Sequence, residues 1–207
     1  MTKCEKPVSL LSVLGSGGHT TEMLTLVESL DQDKYHRTYL HANTDSMSAK
    51  KLTMLPSQDF QVIFDSLKKK RCGSWTNCIL QVSQIPRARE VGQGWIWALL
   101  FTVIAIFKCF PIVFRCKPDV VLINGPGTCV PVVIVARILS FLKLCPKPKI
   151  IFVESICRVK TLSMSAKLLW YWVDDIIVQW PELIDTNQGV KYIGKFLGAL
   201  LVGIVIL

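Results

Sequence analysis

Twice in this chain an apolar run of strand length ends in a glycine-rich turn and feeds straight into a helix-like segment. The first run, residues 10–14, leads into Gly15, Ser16, Gly17, Gly18, His19 and Thr20. A helical stripe of Met23, Leu24, Leu26, Val27 and Leu30 follows. The second run, residues 120–123, leads into Asn124, Gly125, Pro126, Gly127 and Thr128. An apolar helix over 130–142 comes next, with Pro131 in its first turn. A short apolar run without alternation reads as a strand buried on both faces, which places it in a parallel sheet. A glycine turn from such a strand into a helix brings backbone N–H groups and the positive helix end to one point. That point suits phosphate or diphosphate. Two of them in one small sheet imply one anionic ligand held from two sides.

The rest of the chain repeats the alternation. Strands are expected at 8–14, 37–42, 61–64, 78–82, 120–123, 150–153 and 176–179, with a short last one at 191–194. Helices are expected over 20–30, 45–55, 130–142 and 163–173, with Thr20 as the N-cap of the first and 180–182 as a turn. Pro86 should end the strand before it. This is the pattern of an α/β fold with a single Rossmann-like, doubly wound parallel sheet. At 207 residues the chain suits one core and one domain.

A net charge of +9 points to an anionic partner: nucleic acid, an anionic lipid surface or a phosphorylated substrate. Nucleic acid is the weaker choice, because the one dense basic run, residues 68–71, has no base-reading motif beside it. With 51% apolar residues and a mean hydropathy of +0.41, the composition fits a globular domain with some membrane-facing surface. Residues 95–107 carry no charge, and Lys108 and Pro111 then interrupt the apolar run, which makes it marginal as a spanning helix. Two readings stand. One is a helix in the membrane interface, with Trp95 and Trp97 at headgroup level and Phe101 on the membrane-facing side. The other is a core helix of the sheet, and one helix can serve both ends. The run 196–207 is wholly apolar and too short to span alone. Eight cysteines form no C-x-x-C pair, so free thiols in a reducing compartment are expected, not a disulfide frame or a zinc site. The first seven residues hold no signal-peptide core, which puts the domain on the cytosolic side of whatever membrane it touches.

The first loop is not a dinucleotide fingerprint. Gly17 and Gly18 are adjacent, the third glycine is missing, and no acidic residue closes the second strand cleanly, since Asp45 comes late. His19 falls at a helix N-terminus, where the dipole should keep the imidazole neutral, fit to act as a base or to donate to a phosphate oxygen. Glu154 lies just past an apolar strand, where doubly wound folds collect ligand groups. The plainer alternatives are a structural histidine, and a Glu154 that caps or pairs with Arg158. Arg87, Arg89 and Arg158 can meet phosphate or headgroups, but surface arginines usually do nothing specific.

Several longer motifs carry a resemblance. They are GSGGHTTEML at 15–24, DSMS at 45–48, IPRARE at 85–90, KPDVVLINGPGTCVP at 117–131, VESICRVKTLSMS at 153–165 and VQWP at 178–181. In this order they closely resemble the membrane-anchoring subunits of the two-subunit UDP-N-acetylglucosamine transferases of the dolichol pathway. That family is similar to one half, the N-terminal one, of MurG-like GT-B glycosyltransferases. The resemblance implies a Rossmann-like acceptor-binding half-domain over 8–194, including a membrane-associating helix about 95–114, and an apolar tail at 195–207.

The resemblance also implies the function. This half binds dolichyl-diphosphate-N-acetylglucosamine and recruits a catalytic subunit that holds the UDP-sugar. The pair adds the second N-acetylglucosamine on the cytosolic face of the endoplasmic reticulum, and this chain alone is inactive. The implied acceptor-diphosphate groups are Gly15, Ser16, Gly17, Gly18, Thr20, Asn124, Gly125, Gly127 and Thr128, with His19 and Glu154 as catalytic candidates. No cofactor, metal or nucleic acid is implied. The alternative is a pure membrane scaffold for the catalytic subunit. Two departures from the family are noted. Family members begin with a hydrophobic membrane helix, whereas this sequence starts almost at its first strand; either that anchor is lost, or residues 95–114 hold the membrane alone. The family also ends near the position of Gly194, where its tail docks the partner, so 196–207 either blocks that docking, replaces it or adds an anchor.

Overall fold

The computed structural model describes residues 6–31, 34–42, 45–53, 81–85, 95–125 and 127–194. Seven strands are β1 (Val8–Val13), β2 (Tyr35–Ala42), β3 (Gln81–Ile85), β4 (Val120–Ile123), β5 (Lys149–Val153), β6 (Asp175–Val178) and β7 (Lys191–Tyr192). They pair in the order β3-β2-β1-β4-β5-β6-β7, every pair parallel. The interleaved helices are α1 (Gly18–Glu28), α2 (Ser46–Thr53), α3 (Trp95–Cys116), α4 (Cys129–Phe141), α5 (Met164–Leu169) and α6 (Glu182–Thr186).

Side chains alternate across the sheet, so each strand feeds two cores. Leu11, Val13, Val121, Ile123, Ile150 and Phe152 turn to the side covered by α3, α4 and α5. Leu10, Tyr39, Val120, Leu122, Ile151 and Val153 turn to the side where Met23, Leu26 and Val27 of α1 and Leu52 of α2 pack. Both faces are apolar and both are covered, the doubly wound arrangement read from the sequence. Strand order reverses between β1 and β4, and open α/β sheets bind ligands at the carboxyl ends flanking such a reversal. The two glycine loops leave these two strands.

The differences from expectation are local. α1 starts at Gly18, with Gly17 as its N-cap at φ 65° and ψ −116°, so Thr20 lies inside the helix and is not its cap. α3 is one helix of 22 residues that continues through Pro111. It buries a stripe of Ala105, Cys109 and Val113 and exposes Val103, Ile104, Phe107 and Phe110 opposite, so it is a core helix and an apolar surface at once. α5 stops at Leu169, because the amides of Trp172 and Val173 turn back to the Leu169 carbonyl. A short helix, α6, stands where a turn was expected, with Pro181 before it and Glu182 and Asp185 in its first turn, where acidic groups suit the helix dipole. Among the described residues no helix is both long and apolar enough to cross a membrane.

The expected strand at 61–64, the basic run at 68–71, Arg87, Arg89, Pro126 and the run at 196–207 lie outside the described residues. So do the side chains of Trp95, Trp97 and Phe101. Cys109, Cys116, Cys129, Cys145 and Cys157 are free, and burial pushes the thiols of Cys109 and Cys129 up to about 12.

Candidate functional site

The β1–α1 loop is fastened from beneath by α2. Thr20 Oγ1 donates to the Gly15 carbonyl at 2.5 Å and meets Ser48 Oγ at 2.5 Å. Ser48 Oγ lies 2.9 Å from the same carbonyl and is bonded to the Asp45 carboxylate, which also accepts the Ser48 N–H. Lys51 Nζ donates to the Gly17 carbonyl at 3.2 Å and to Thr21 Oγ1 at 2.7 Å. Thr20 is fully buried in this cluster, so its hydroxyl braces the loop. Asp45, late for a ribose contact, serves the same brace.

The β4–α4 loop stands differently. Gly125 has φ +66°, a left-handed conformation that a side chain rarely adopts. A Cβ there would lie 2.7 Å from His19 Cε1 and 3.0 Å from His19 Nδ1, so the imidazole rests on the bare glycine backbone. The two loops therefore touch through His19. Apart from chain neighbours and their own helix backbone, no described atom stands within 4 Å of a Cβ built at Gly17, Gly18 or Gly127, so among the described residues these three glycines border open space. Thr128 heads α4 without capping it, and its buried hydroxyl has no hydrogen-bond partner among the described residues.

Four side chains close the site. Within hydrogen-bonding distance, His19 Nδ1 meets Asn124 Oδ1 at 2.8 Å, Asn124 Nδ2 donates to Glu22 Oε2 at 2.8 Å, and Ser155 Oγ donates to Glu22 Oε1 at 2.8 Å. The Glu22 carboxylate is also 3.7 Å from His19 Nδ1. Its proximity raises the His19 pKa above 6.5 against the opposing effect of burial, with Asn124 and the Glu154 charge acting the same way as Glu22. Beside the helix dipole expected from the sequence, the ring thus feels an opposing influence, a carboxylate one turn along α1 that favours its proton. For Glu22, burial pushes its pKa up, but the neighbouring His19 ring and the hydrogen bonds from Asn124 and Ser155 prevail and hold it below 4.5.

Glu154 is fully buried behind this group. It accepts the Ser155 N–H at 3.1 Å and the Ser163 N–H at 2.8 Å, tying both ends of the 155–163 loop. Ser163 in turn caps α5 through the Ala166 N–H, and Trp180 Nε1 holds the Ile156 carbonyl at 2.7 Å. Of the two carboxylate-or-histidine candidates, His19 stands at the meeting of the loops, whereas Glu154 acts on the ring only through its charge. Glu22 and Ser155 were missed in the sequence. Among the described residues no cluster of three or more His, Cys, Asp or Glu is placed to hold a metal ion.

One parallel sheet, helices on both faces and two glycine loops at the reversal of strand order define a Rossmann-like, doubly wound domain. The fold is similar to that of Acinetobacter baumannii MurG, with a TM-score of 0.60 and 16% identity, over 91% of this chain and 44% of the MurG chain. The chain thus spans less than half of the MurG chain. The family model described as "Oligosaccharide biosynthesis protein Alg14 like" matches residues 10–196, and the chain belongs to this family. It is 43% identical over 188 residues to the Rattus norvegicus protein named UDP-N-acetylglucosamine transferase subunit ALG14, covering 91% of this chain and 82% of that one. The Schizosaccharomyces pombe subunit of the same name is 39% identical over 194 residues, with 89% and 81% covered.

Proposed function

We propose that this chain is the acceptor-binding subunit of a UDP-N-acetylglucosamine transferase. It holds dolichyl-diphosphate-N-acetylglucosamine at the cytosolic face of the endoplasmic reticulum membrane for a partner subunit that carries the UDP-sugar. The family and the names of its relatives support the subunit role. One observation carries the acceptor role: His19 lies against Gly125, where two glycine loops converge beside open space. N–H groups at the heads of α1 and α4 and the Thr128 hydroxyl face the acceptor diphosphate, a fixed set of dipoles that needs no rearrangement on binding.

The chemistry of transfer follows. The acceptor hydroxyl attacks the anomeric carbon of UDP-N-acetylglucosamine, the bond to UDP breaks, and the hydroxyl proton passes to His19. The Glu22 carboxylate beside the ring favours its taking up that proton. A single Rossmann half contributes one side of a GT-B cleft, so activity requires the partner. Residues 8–194 form the half-domain and 195–207 its apolar tail. The exposed Val103, Phe107 and Phe110 of α3 face the membrane together with Phe141 and Leu142 at the end of α4, and the basic net charge favours anionic lipid.

The test is Gly127→Leu in the co-purified two-subunit complex. A Cβ here meets no described atom beyond its chain neighbours, so assembly and folding should survive while the acceptor KM rises about tenfold or more. Transfer unchanged with assembly intact would leave the pure membrane scaffold as the reading.

A further inference from the structure

The hydrogen bonds around His19 run in only one consistent direction. Ser155 Oγ–H donates to Glu22 Oε1 and Asn124 Nδ2–H to Glu22 Oε2, so the carboxylate accepts on both oxygens. With its amide nitrogen committed, Asn124 presents its carbonyl oxygen to His19 Nδ1 at 2.8 Å. An amide oxygen has no proton to give, so Nδ1 holds the imidazole proton and the lone pair of the neutral ring sits on Nε2. The opposite amide orientation would set Asn124 Oδ1 against Glu22, two acceptors face to face. Glu22 lies a full turn into α1 and caps nothing, yet its side chain is only 12% exposed. Burying a carboxylate is costly unless it is hydrogen-bonded, and here both oxygens are used on residues from two other loops.

We propose that Glu22 is a positioning residue that, through Asn124, selects the Nδ1–H tautomer of His19 and keeps Nε2 as the basic nitrogen. The proposal rests on the reading of His19 as the proton acceptor. The other charged groups around the ring act less directly. Glu154, after β5, spends its oxygens on the Ser155 and Ser163 amides. Lys51, from α2, spends its ammonium on Gly17 and Thr21.

Glu22→Gln keeps the shape and removes the charge. In the two-subunit complex, with a lipid-diphosphate-N-acetylglucosamine acceptor, kcat should fall about 10- to 100-fold while the acceptor KM stays within about twofold. The acid limb of the kcat–pH profile should move to lower pH, because His19 loses the carboxylate that favours its proton. Ring-nitrogen NMR of the full chain, assigned by the resonances missing in His19→Gln, should show the Nδ1–H tautomer in the native protein and a mixture in Glu22→Gln. Adding Glu22→Gln to His19→Gln should lower kcat no further. An unmoved acid limb with an unchanged tautomer in Glu22→Gln overturns the proposal and leaves the base reading standing. Native kcat in His19→Gln overturns the base reading, and this proposal with it.

Discussion

The β1–α1 and β4–α4 loops occupy equivalent places on neighbouring strands, yet they are held in opposite ways. The first is braced from inside: Thr20 and Lys51 donate to its carbonyls at Gly15 and Gly17, and Ser48, held by Asp45, backs Thr20. The second has no such brace among the described residues. It keeps a left-handed glycine under the His19 ring and a buried Thr128 hydroxyl without a partner. A loop whose own polar groups are satisfied is a frame. A loop that buries a donor without a partner at a helix N-terminus carries an unmet hydrogen bond. The same glycine-rich composition therefore serves two purposes, one per strand.

The largest effect should come from crowding the second loop. Gly125→Val adds strain at φ +66° and drives a methyl-bearing carbon into the His19 ring, so transfer should fall by about 100-fold or more. Steady-state assays of the co-purified complex measure it, and near-native kcat/KM would mean that the contact between the loops is incidental. Loosening the first loop should act on stability instead. Thr20→Val leaves Ser48 with one partner fewer in a buried cluster and should cost about 1–3 kcal/mol in urea unfolding. A loss of acceptor binding with unchanged stability would reverse the roles given to the two loops.

The smallest effect is on the pH dependence of folding. The His19 pKa is raised, so its ionic contribution is fully present below pH 6.5 and fades as pH rises through the folded value. The Glu22 pKa is lowered, so its contribution is present above pH 4.5 and fades as pH falls through the folded value. The native chain should therefore gain most over His19→Gln between those two values. Denaturant midpoints at pH 5.5 and pH 8 provide the comparison, and equal differences at both would show that the ring and the carboxylate are not coupled.

Sequence alone made the centre of the sheet readable, because β1, β4, β5 and β6 are short, mostly apolar runs of strand length. It also exposed both glycine loops, since glycine at strand–helix junctions is a local signal. Glu22 escaped for a physical reason. Its partners Asn124 and Ser155 are 102 and 133 residues away, and helical spacing treats a glutamate in α1 as one more solvated residue. Thr20 misled because a threonine at a helix start reads as a cap, while the positive φ of Gly17 that moves the start upstream is invisible in composition. Glu154 was placed correctly at a strand end, but only coordinates reveal that its oxygens are occupied by the amides of Ser155 and Ser163. α6 had a usable signal in the proline and acids at its start, and went unread because it is five residues long.

The ladder between β1 and β4 pairs Val13 with Ile123, the last residue of each strand before its loop. That register alone fixes how far along the sheet the two loops emerge, and neighbouring strands lie about 5 Å apart by backbone geometry. The spacing of the two loops is thus set by main-chain bonds that every amino acid can make. Side-chain changes can alter what lines the loops, but shifting where one emerges against the other calls for a register slip, which would turn the slipping strand inside out.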